Sequence, residues 1–297
     1  MATLRQTFSD IASAIRAKGV SGTMKPIEMA QKIGEIQNVG YLTFTAEEDT
    51  TLTLVQNGNI TPHKLLKSTD GVNWTKWENT STNGIVLKAG ESVYIKADED
   101  ALNKTATGDS DYNNFQSTGP ISCSGDIMSI VNLLNSDYYC FLGCLFRGME
   151  NLTHAPELKP MTSIDRCYSN MFDHCKSLIK PPSVVYVNSC EAGCNGMFYN
   201  CTSLKRIKMN ASSGSWGESM FNGCTSLELV DMTGSTGVPQ LENVNNFDNT
   251  NDTYKIVVPA SLYDTWVNET NWASIASHIM KQSDWNNEHP DDILGQQ

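Results

Sequence analysis

The chain has 297 residues, 39% of them hydrophobic, and its 33 acidic against 21 basic residues give a formal net charge of −12. Such a charge repels phosphate backbones and anionic membrane surfaces, so we expect neither a nucleic-acid nor a membrane partner. No run approaches the roughly 20 apolar residues that cross a bilayer, and the N-terminus lacks the apolar stretch of a signal peptide. Nine cysteines, an odd number in a long chain, argue against a fully paired disulfide framework.

Residues 1–39 are predicted to form a short helical hairpin, because apolar side chains recur there at helical spacing on both sides of Gly19. Helices this short are marginal alone, and two of them cannot enclose a core. Their apolar faces therefore need a partner, which is the rest of this chain, a second copy of it or another protein. The predicted anchor and oligomerisation residues are Leu4, Phe8, Ile11, Ile15, Ile27 and Ile33.

Residues 40–135 switch to the period-two pattern of β-strands. Runs rich in Thr, aromatic and β-branched residues are separated by turn dipeptides such as Asn-Gly and Asp-Gly. The predicted strands cover residues 41–45, 51–55, 74–77 and 85–88. Short strands at this spacing favour an antiparallel β-sandwich without internal helices.

A repeat of the form Met-Phe-x-x-Cys-x-x-Leu dominates residues 136–281. Its phenylalanines are 26, 26 and 23 residues apart, and a period in the twenties is typical of leucine-rich repeats. Each coil buries its apolar face against the next, so the repeat residues should form a continuous core. The predicted repeat core consists of Phe146, Leu152, Phe172, Cys175, Leu178, Phe198, Cys201, Leu204, Phe221, Cys224 and Leu227.

The end of the repeat array needs a cap, which residues 255–281 are predicted to supply as a strand at residues 256–258 and amphipathic turns. Asn271 is the predicted N-cap of the last turn. Residues 282–297 are acidic and polar, and we expect them to form a loose tail. The predicted fold is thus mainly β and multidomain: helical hairpin, β-sandwich, then a repeat solenoid with a C-terminal cap.

The Met-Phe-x-x-Cys-x-Ser-Leu repeat resembles the BspA-like leucine-rich repeats of surface proteins of gut Bacteroidetes and their phages. Upstream stretches such as Asp70-Gly-Val-Asn-Trp-Thr resemble the β-domain that commonly precedes those repeats. Residues 7–18 and 24–30 are similar to a helical module at the start of many phage tail and fibre proteins. The resemblance implies a non-enzymatic display or adhesion role. In the first repeat Met149 replaces the cysteine, a departure from the family pattern.

Two groups of residues in the sequence invite comparison with metal sites. The pairs Cys140–Cys144 and Cys190–Cys194, with His174, lack the Cys-x2-Cys spacing of zinc sites. The cysteines of the repeat should instead stack as small buried hydrophobes whose parallel Cβ vectors do not favour disulfides. Asp109-x-Asp111-x-Asn113 opens like a calcium loop, but Asn114 and Pro120 replace the expected Gly and Glu, which favours a solvated turn. We expect no metal and no cofactor.

The sequence contains none of the common catalytic motifs, so we expect no enzymatic activity. Trp74 and Trp77 are three apart on a predicted strand, so one of them should lie in the core. Trp216, in the Gly-rich stretch 212–217, is the predicted surface-binding residue, because an exposed indole suits sugar rings and protein interfaces.

These observations predict a bacteriophage virion structural protein: a head or tail fibre or decoration subunit. Its N-terminal helices would bind another virion protein or further copies of the chain, and a trimer is favoured by analogy. The repeats would attach to host-surface or mucosal glycans or proteins. The alternative is a bacterial cell-surface adhesin of the BspA-like class, and a weaker one is a glycan-active enzyme built on the repeats.

Overall fold

The computed structural model describes residues 40–58, 64–78, 80–98, 111–130, 142–158, 168–187, 194–212 and 214–295. Within these ranges the chain is mainly β, with a six-stranded, a three-stranded and a five-stranded sheet. The predicted helical hairpin and all six of its anchor residues lie outside the described residues. The predicted domain boundary at residue 135 does so too.

The first half of the described chain consists of two antiparallel sheets. Their strands are β1 (Leu42–Ala46), β2 (Thr50–Asn57), β3 (Leu65–Ser68), β4 (Thr75–Trp77), β5 (Ile85–Leu87), β6 (Ser92–Ala97), β7 (Tyr112–Ser117) and β8 (Ile121–Gly125). One sheet has the order β4-β3-β6-β1-β8 and the other the order β5-β2-β7. They face each other through Phe44 and Phe115, whose ring centroids are 4.7 Å apart.

Strand β7 corrects one sequence prediction. Asn113 and Asn114 are buried residues of this strand and not parts of a solvated turn. The Asn114 side chain accepts a hydrogen bond of 2.8 Å from Asn57 Nδ2 on the neighbouring strand β2. A buried amide is compatible with a strand when it finds such a partner, which the local sequence pattern does not reveal.

The second half is a parallel solenoid in which each coil contributes one strand. The strands are β9 (Leu152–His154), β10 (Val185–Val187), β11 (Arg206–Ala211), β12 (Leu229–Asp231), β13 (Lys255–Val258) and β14 (Ile279–Lys281). Strands β10 to β14 form one parallel sheet in chain order. Strand β9 pairs parallel with β8, so the first coil extends the six-stranded sheet of the sandwich.

A single hydrophobic core runs through both halves. It extends from Leu42 in the first strand to Ile279 in the last one and includes the aromatic side chains between the two sandwich sheets. Trp77 belongs to this core, whereas Trp74 is half-buried beneath the Lys96 ammonium. The sandwich and the repeats are therefore packed as one body along their junction, because neither apolar surface is closed without the other.

The C-terminal region adds a helix α1 (Tyr263–Asn268), a 3₁₀ helix (Trp272–His278), strand β14 and a helix α2 (Gln282–Glu288). The indoles of Trp266 and Trp272 are fully buried and close the end of the solenoid. Asn271 occupies the predicted N-cap position with a φ of 67°. Its side chain makes no capping hydrogen bond, and Nδ2 instead donates to the Leu241 carbonyl oxygen at 2.7 Å.

Candidate functional site

The repeat phenylalanines form a ladder along the inside of the solenoid. Neighbouring rings from Phe146 to Phe221 are 5.4, 5.5 and 5.7 Å apart between centroids and lie within 12° of parallel. This spacing lies in the range at which stacked aromatic rings attract one another. The ladder orients each coil relative to the next and so holds the outer surface in a fixed geometry.

All eleven predicted repeat-core side chains are buried, each with no exposed surface. The phenylalanines and leucines point into the solenoid, and the cysteines lie between adjacent coils. Each thiol donates to a main-chain carbonyl oxygen: Cys175 to Phe146 at 3.1 Å, Cys201 to Phe172 at 3.0 Å and Cys224 to Phe198 at 3.0 Å.

The ladder is longer than the four motifs found in the sequence. Phe115 of β7 stacks on Phe146 at 5.9 Å, and Phe247 stacks on Phe221 at 5.7 Å. Asn246 takes the place of the repeat methionine, since its carbonyl oxygen accepts from Phe221 N at 3.0 Å. The 26-residue step from Phe221 to Phe247 was the available sequence signal, but without the Met and Cys it did not stand out.

The prediction that Trp216 is an exposed binding residue is wrong. Its indole is fully buried and contacts Trp272 edge to face, with centroids 5.2 Å apart. Its backbone N–H donates to the Gln240 carbonyl oxygen at 2.8 Å, which places this segment inside a coil. The Gly-rich neighbourhood of Trp216 reflects tight packing between coils: a Cβ at Gly217 would lie 2.7 Å from Asn195 Oδ1.

The outer face of the parallel sheet carries a concave surface. Two shallow adjoining cavities of about 270 and 240 Å³ share Glu157 and Lys180, and the smaller one extends to β8 of the six-stranded sheet. We call the larger one the sheet groove and define it by three basic residues, Lys180, Arg206 and Lys208, and three apolar ones, Pro182, Ile207 and Leu229. No aromatic side chain is found among the described residues that line it.

Residues 282–295, here called the C-terminal strap, are docked on the outer face of the sheet. Trp285 and Leu294 pack against Leu229 of β12 and Val257 of β13, and all four side chains are buried. The expectation of a loose acidic tail is therefore wrong for these residues. The sequence did not indicate this docking, because two isolated apolar side chains among polar ones form no periodic pattern.

Polar contacts fix the C-terminal strap against the groove. Arg206 Nη2 contacts both carboxylate oxygens of Asp292, at 2.8 and 2.7 Å. The indole N–H of Trp285 donates to the Asp292 carbonyl oxygen at 3.0 Å. Leu294, which follows two residues later, lines the sheet groove. One end of the groove is thus bounded by the chain's own acidic segment.

The cysteines and His174 are poorly suited to catalysis or zinc binding. Burial raises the pKa of the Cys175 and Cys201 thiols well above the ordinary value and that of Cys224 to about 12, so all three stay protonated at neutral pH. Both ring nitrogens of His174 have partners, the Asp173 carboxylate at Nδ1 and Asn200 at Nε2. Among the described residues no cluster of three His, Cys, Asp or Glu side chains can hold a metal ion.

The six cysteines within the described ranges are free thiols, and Cys144 and Cys194 are buried. Their proposed zinc partners Cys140 and Cys190 lie outside the described residues, as does Asp109 of the calcium-like stretch. The part of the chain that the structure describes contains no helix long and apolar enough to span a bilayer.

Residues 145–265 match the family model of the BspA type leucine-rich repeat region, in six copies. This part of the chain is therefore a BspA-type repeat region, and it points to a surface or adhesion type of repeat protein. No curated protein and no solved structure matches the chain.

Proposed function

We propose that this chain, whose residues 145–265 form a BspA-type leucine-rich repeat region, is a non-enzymatic attachment protein of a bacteriophage virion. In this role the repeats and the sandwich display the outer face of the sheet to the host surface. The observation that carries the proposal is the core shared by sandwich and solenoid, which holds that face rigid. A preorganised surface loses less conformational freedom on binding, and that favours affinity.

Residues 1–39 are assigned the anchoring role in this proposal. Their apolar helical pattern requires a partner, and in a virion that partner is another copy of the chain or a different structural protein. A trimer remains the favoured assembly by analogy with other fibres. Several copies on one particle would give weak receptor contacts useful avidity.

The absence of enzymatic activity is part of the proposal. The protonated, buried thiols and the engaged His174 ring support it, since neither offers an activated nucleophile or a free base. The test for activity is a screen for sugars released from mucin and from bacterial capsule by the purified chain. Sugar release from either substrate would contradict the proposal.

The site of action is tested by fractionation and labelling. Antibodies raised against the chain should label purified phage particles and should not label the envelopes of uninfected cells. Particles assembled without the chain should adsorb to host cells more slowly than complete ones. Labelling of the bacterial envelope alone would favour the cell-surface adhesin, and normal adsorption without the chain would contradict an attachment role.

A further inference from the structure

We propose that the sheet groove binds an extended acidic peptide, and that the chain's own segment 292–294 occupies one end of this site. The recognised element is a carboxylate followed two residues later by an aliphatic side chain. The inference deepens the proposed attachment function and rests on it, because it names a protein segment as the ligand of the displayed face.

The C-terminal strap shows what kind of ligand the face accepts. Asp292 places its carboxylate against the guanidinium of Arg206, and Leu294 is buried against Leu229. Hydrogen bonds between a guanidinium and a carboxylate are charge-assisted and stronger than neutral ones. The buried leucine adds apolar contact beside the ion pair. Together they are a short acidic peptide bound in cis.

The groove continues beyond the strap with the same chemistry. Lys180 and Lys208 line it next to Arg206, together with Pro182 and Ile207. Among the described residues neither lysine forms an ion pair, whereas Arg206 does. Two free ammonium groups above apolar side chains match a ligand that carries both carboxylates and aliphatic groups.

The two acidic residues at the groove, Glu157 and Asp231, offset part of this positive charge, and hydrogen bonds within the protein hold their carboxylates in place. The Glu157 carboxylate accepts from the Ser183 backbone N–H at 2.9 Å. The Asp231 carboxylate accepts from Thr233 N at 2.9 Å and from Thr233 Oγ1 at 2.7 Å. In a chain of net charge −12, a groove lined by three basic and only two acidic side chains is a local exception that favours anionic ligands.

The lining favours a peptide over a sugar. Sugar rings are commonly recognised on the flat faces of aromatic side chains, and the described lining has none. Prolines and aliphatic side chains instead suit the side chains of an extended peptide.

The probe is a fluorescein-labelled peptide with the sequence of residues 288–297, measured by fluorescence anisotropy against the full chain. In the Asp292→Ala/Leu294→Ala variant the cis segment no longer competes, so this variant should bind the peptide at least about tenfold more tightly than the unchanged chain. In that background, Lys180→Glu/Lys208→Glu should weaken binding by at least about tenfold, and so should raising the salt from about 0.15 to about 0.5 M.

Lys64→Glu/Lys67→Glu in the same background is the matched control, because it makes the same charge change with two lysines at β3, three strands from β8. It should leave binding within about twofold. A second peptide with both aspartates replaced by asparagine should bind at least about tenfold more weakly.

Equal binding of the two peptides overturns the inference, and so does an absence of binding to the Asp292→Ala/Leu294→Ala variant at unchanged melting temperature. If that variant fails to fold, Asp292→Asn, which keeps the side-chain shape, replaces it. Adsorption of virions is measured separately. Chain-dependent adsorption without peptide binding would reject the peptide inference and leave the attachment function standing.

Discussion

The thiol of Cys201 donates a hydrogen bond of 3.0 Å to the carbonyl oxygen of Phe172, which belongs to the preceding coil. The sequence predicted this cysteine only as a small buried hydrophobe of the stacked coils. The structure adds a second reason: a side chain of this size can also donate to a buried carbonyl oxygen of the preceding coil and so links the two coils. The same contact recurs at Cys175 and Cys224.

Replacing Cys201 by alanine should lower the free energy of unfolding by about 1–2 kcal/mol, because the hydrogen bond and some buried area are lost together. Urea unfolding followed by circular dichroism measures the loss. Cys201→Ser keeps a donor and should be less costly than alanine. An equal loss for both variants would show that the hydrogen bond contributes no stability.

The protonated thiols make the protein sensitive to alkaline pH. In the folded state the pKa of Cys224 is about 12, whereas an unfolded thiol titrates near roughly 8.5. Because the folded pKa is the higher one, the stabilisation is fully present below pH ~8.5 and is lost as the pH rises toward 12.

The free energy of unfolding should fall with rising pH by up to about 1.4 kcal/mol per pH unit for each such thiol. Urea titrations at a series of pH values between about 7 and 11 measure it. The Cys201→Ala/Cys224→Ala variant, although less stable at neutral pH, should lose less additional stability on alkalinisation. The same slope in both proteins would contradict the assignment to these thiols.

Asparagine side chains of one coil press against glycines of the next. A Cβ at Gly223 would lie 2.0 Å from Asn200 Oδ1, and Gly223 has a φ of +79°. Gly90 has a similar φ of +83°, but nothing lies within 4 Å of the corresponding Cβ. A comparison of alanine substitutions at the two positions therefore separates the effect of backbone strain from that of steric overlap.

Gly90→Ala should lower the free energy of unfolding by about 1–2 kcal/mol, because alanine is strained in the left-handed backbone conformation. Gly223→Ala should lower the free energy of unfolding by about 1–3 kcal/mol more than Gly90→Ala does, because its methyl group also overlaps the Asn200 amide. Thermal unfolding monitored by calorimetry provides the comparison. Asn200→Gly removes the overlapping atom and should recover part of the loss in the double variant. Equal costs at positions 90 and 223 would refute the packing argument.

The C-terminal strap should be protected from hydrogen exchange. The backbone N–H of His289 donates to the Trp285 carbonyl oxygen at 2.8 Å, and that of Leu294 donates to Asn286 Oδ1 at 2.9 Å. Trp285→Ala deletes the largest buried side chain of this segment, so exchange there should accelerate while the repeats stay protected. Mass spectrometry of peptides covering residues 282–295 measures both. Exchange at the free-peptide rate in the unchanged protein would mean that the strap is not docked.

The proposed anchoring role of residues 1–39 is tested by the molar mass of the purified protein in solution. The full chain should form a multimer through residues 1–39, and a chain that begins at Gly40 should be a monomer, because the apolar helical faces are gone. Light scattering measures both masses. If both chains are monomers, the hairpin serves a different protein or docks on its own chain, and a pull-down with residues 1–38 as bait distinguishes these two. A multimeric truncated chain would place the oligomer contact elsewhere.

Much of the repeat region follows from the sequence alone. The recurring Phe146, Phe172, Phe198 and Phe221 predict stacked coils, since a periodic apolar residue must be buried against its own neighbour in the next repeat. The strand pattern of residues 41–55 likewise predicts β1 and β2. These features depend on local spacing, which a single sequence displays directly.

The tertiary structure decided what depends on contacts between distant segments. Phe115 joins the ladder, Trp216 is buried against Trp272 and the C-terminal strap covers β12 and β13. The apolar side chains that make these contacts belong to no local hydrophobic periodicity. The sequence therefore does not show which distant residues they contact. The groove arises in the same way, because Lys180, Arg206 and Leu294 meet only when successive coils stack and the chain end folds back over them.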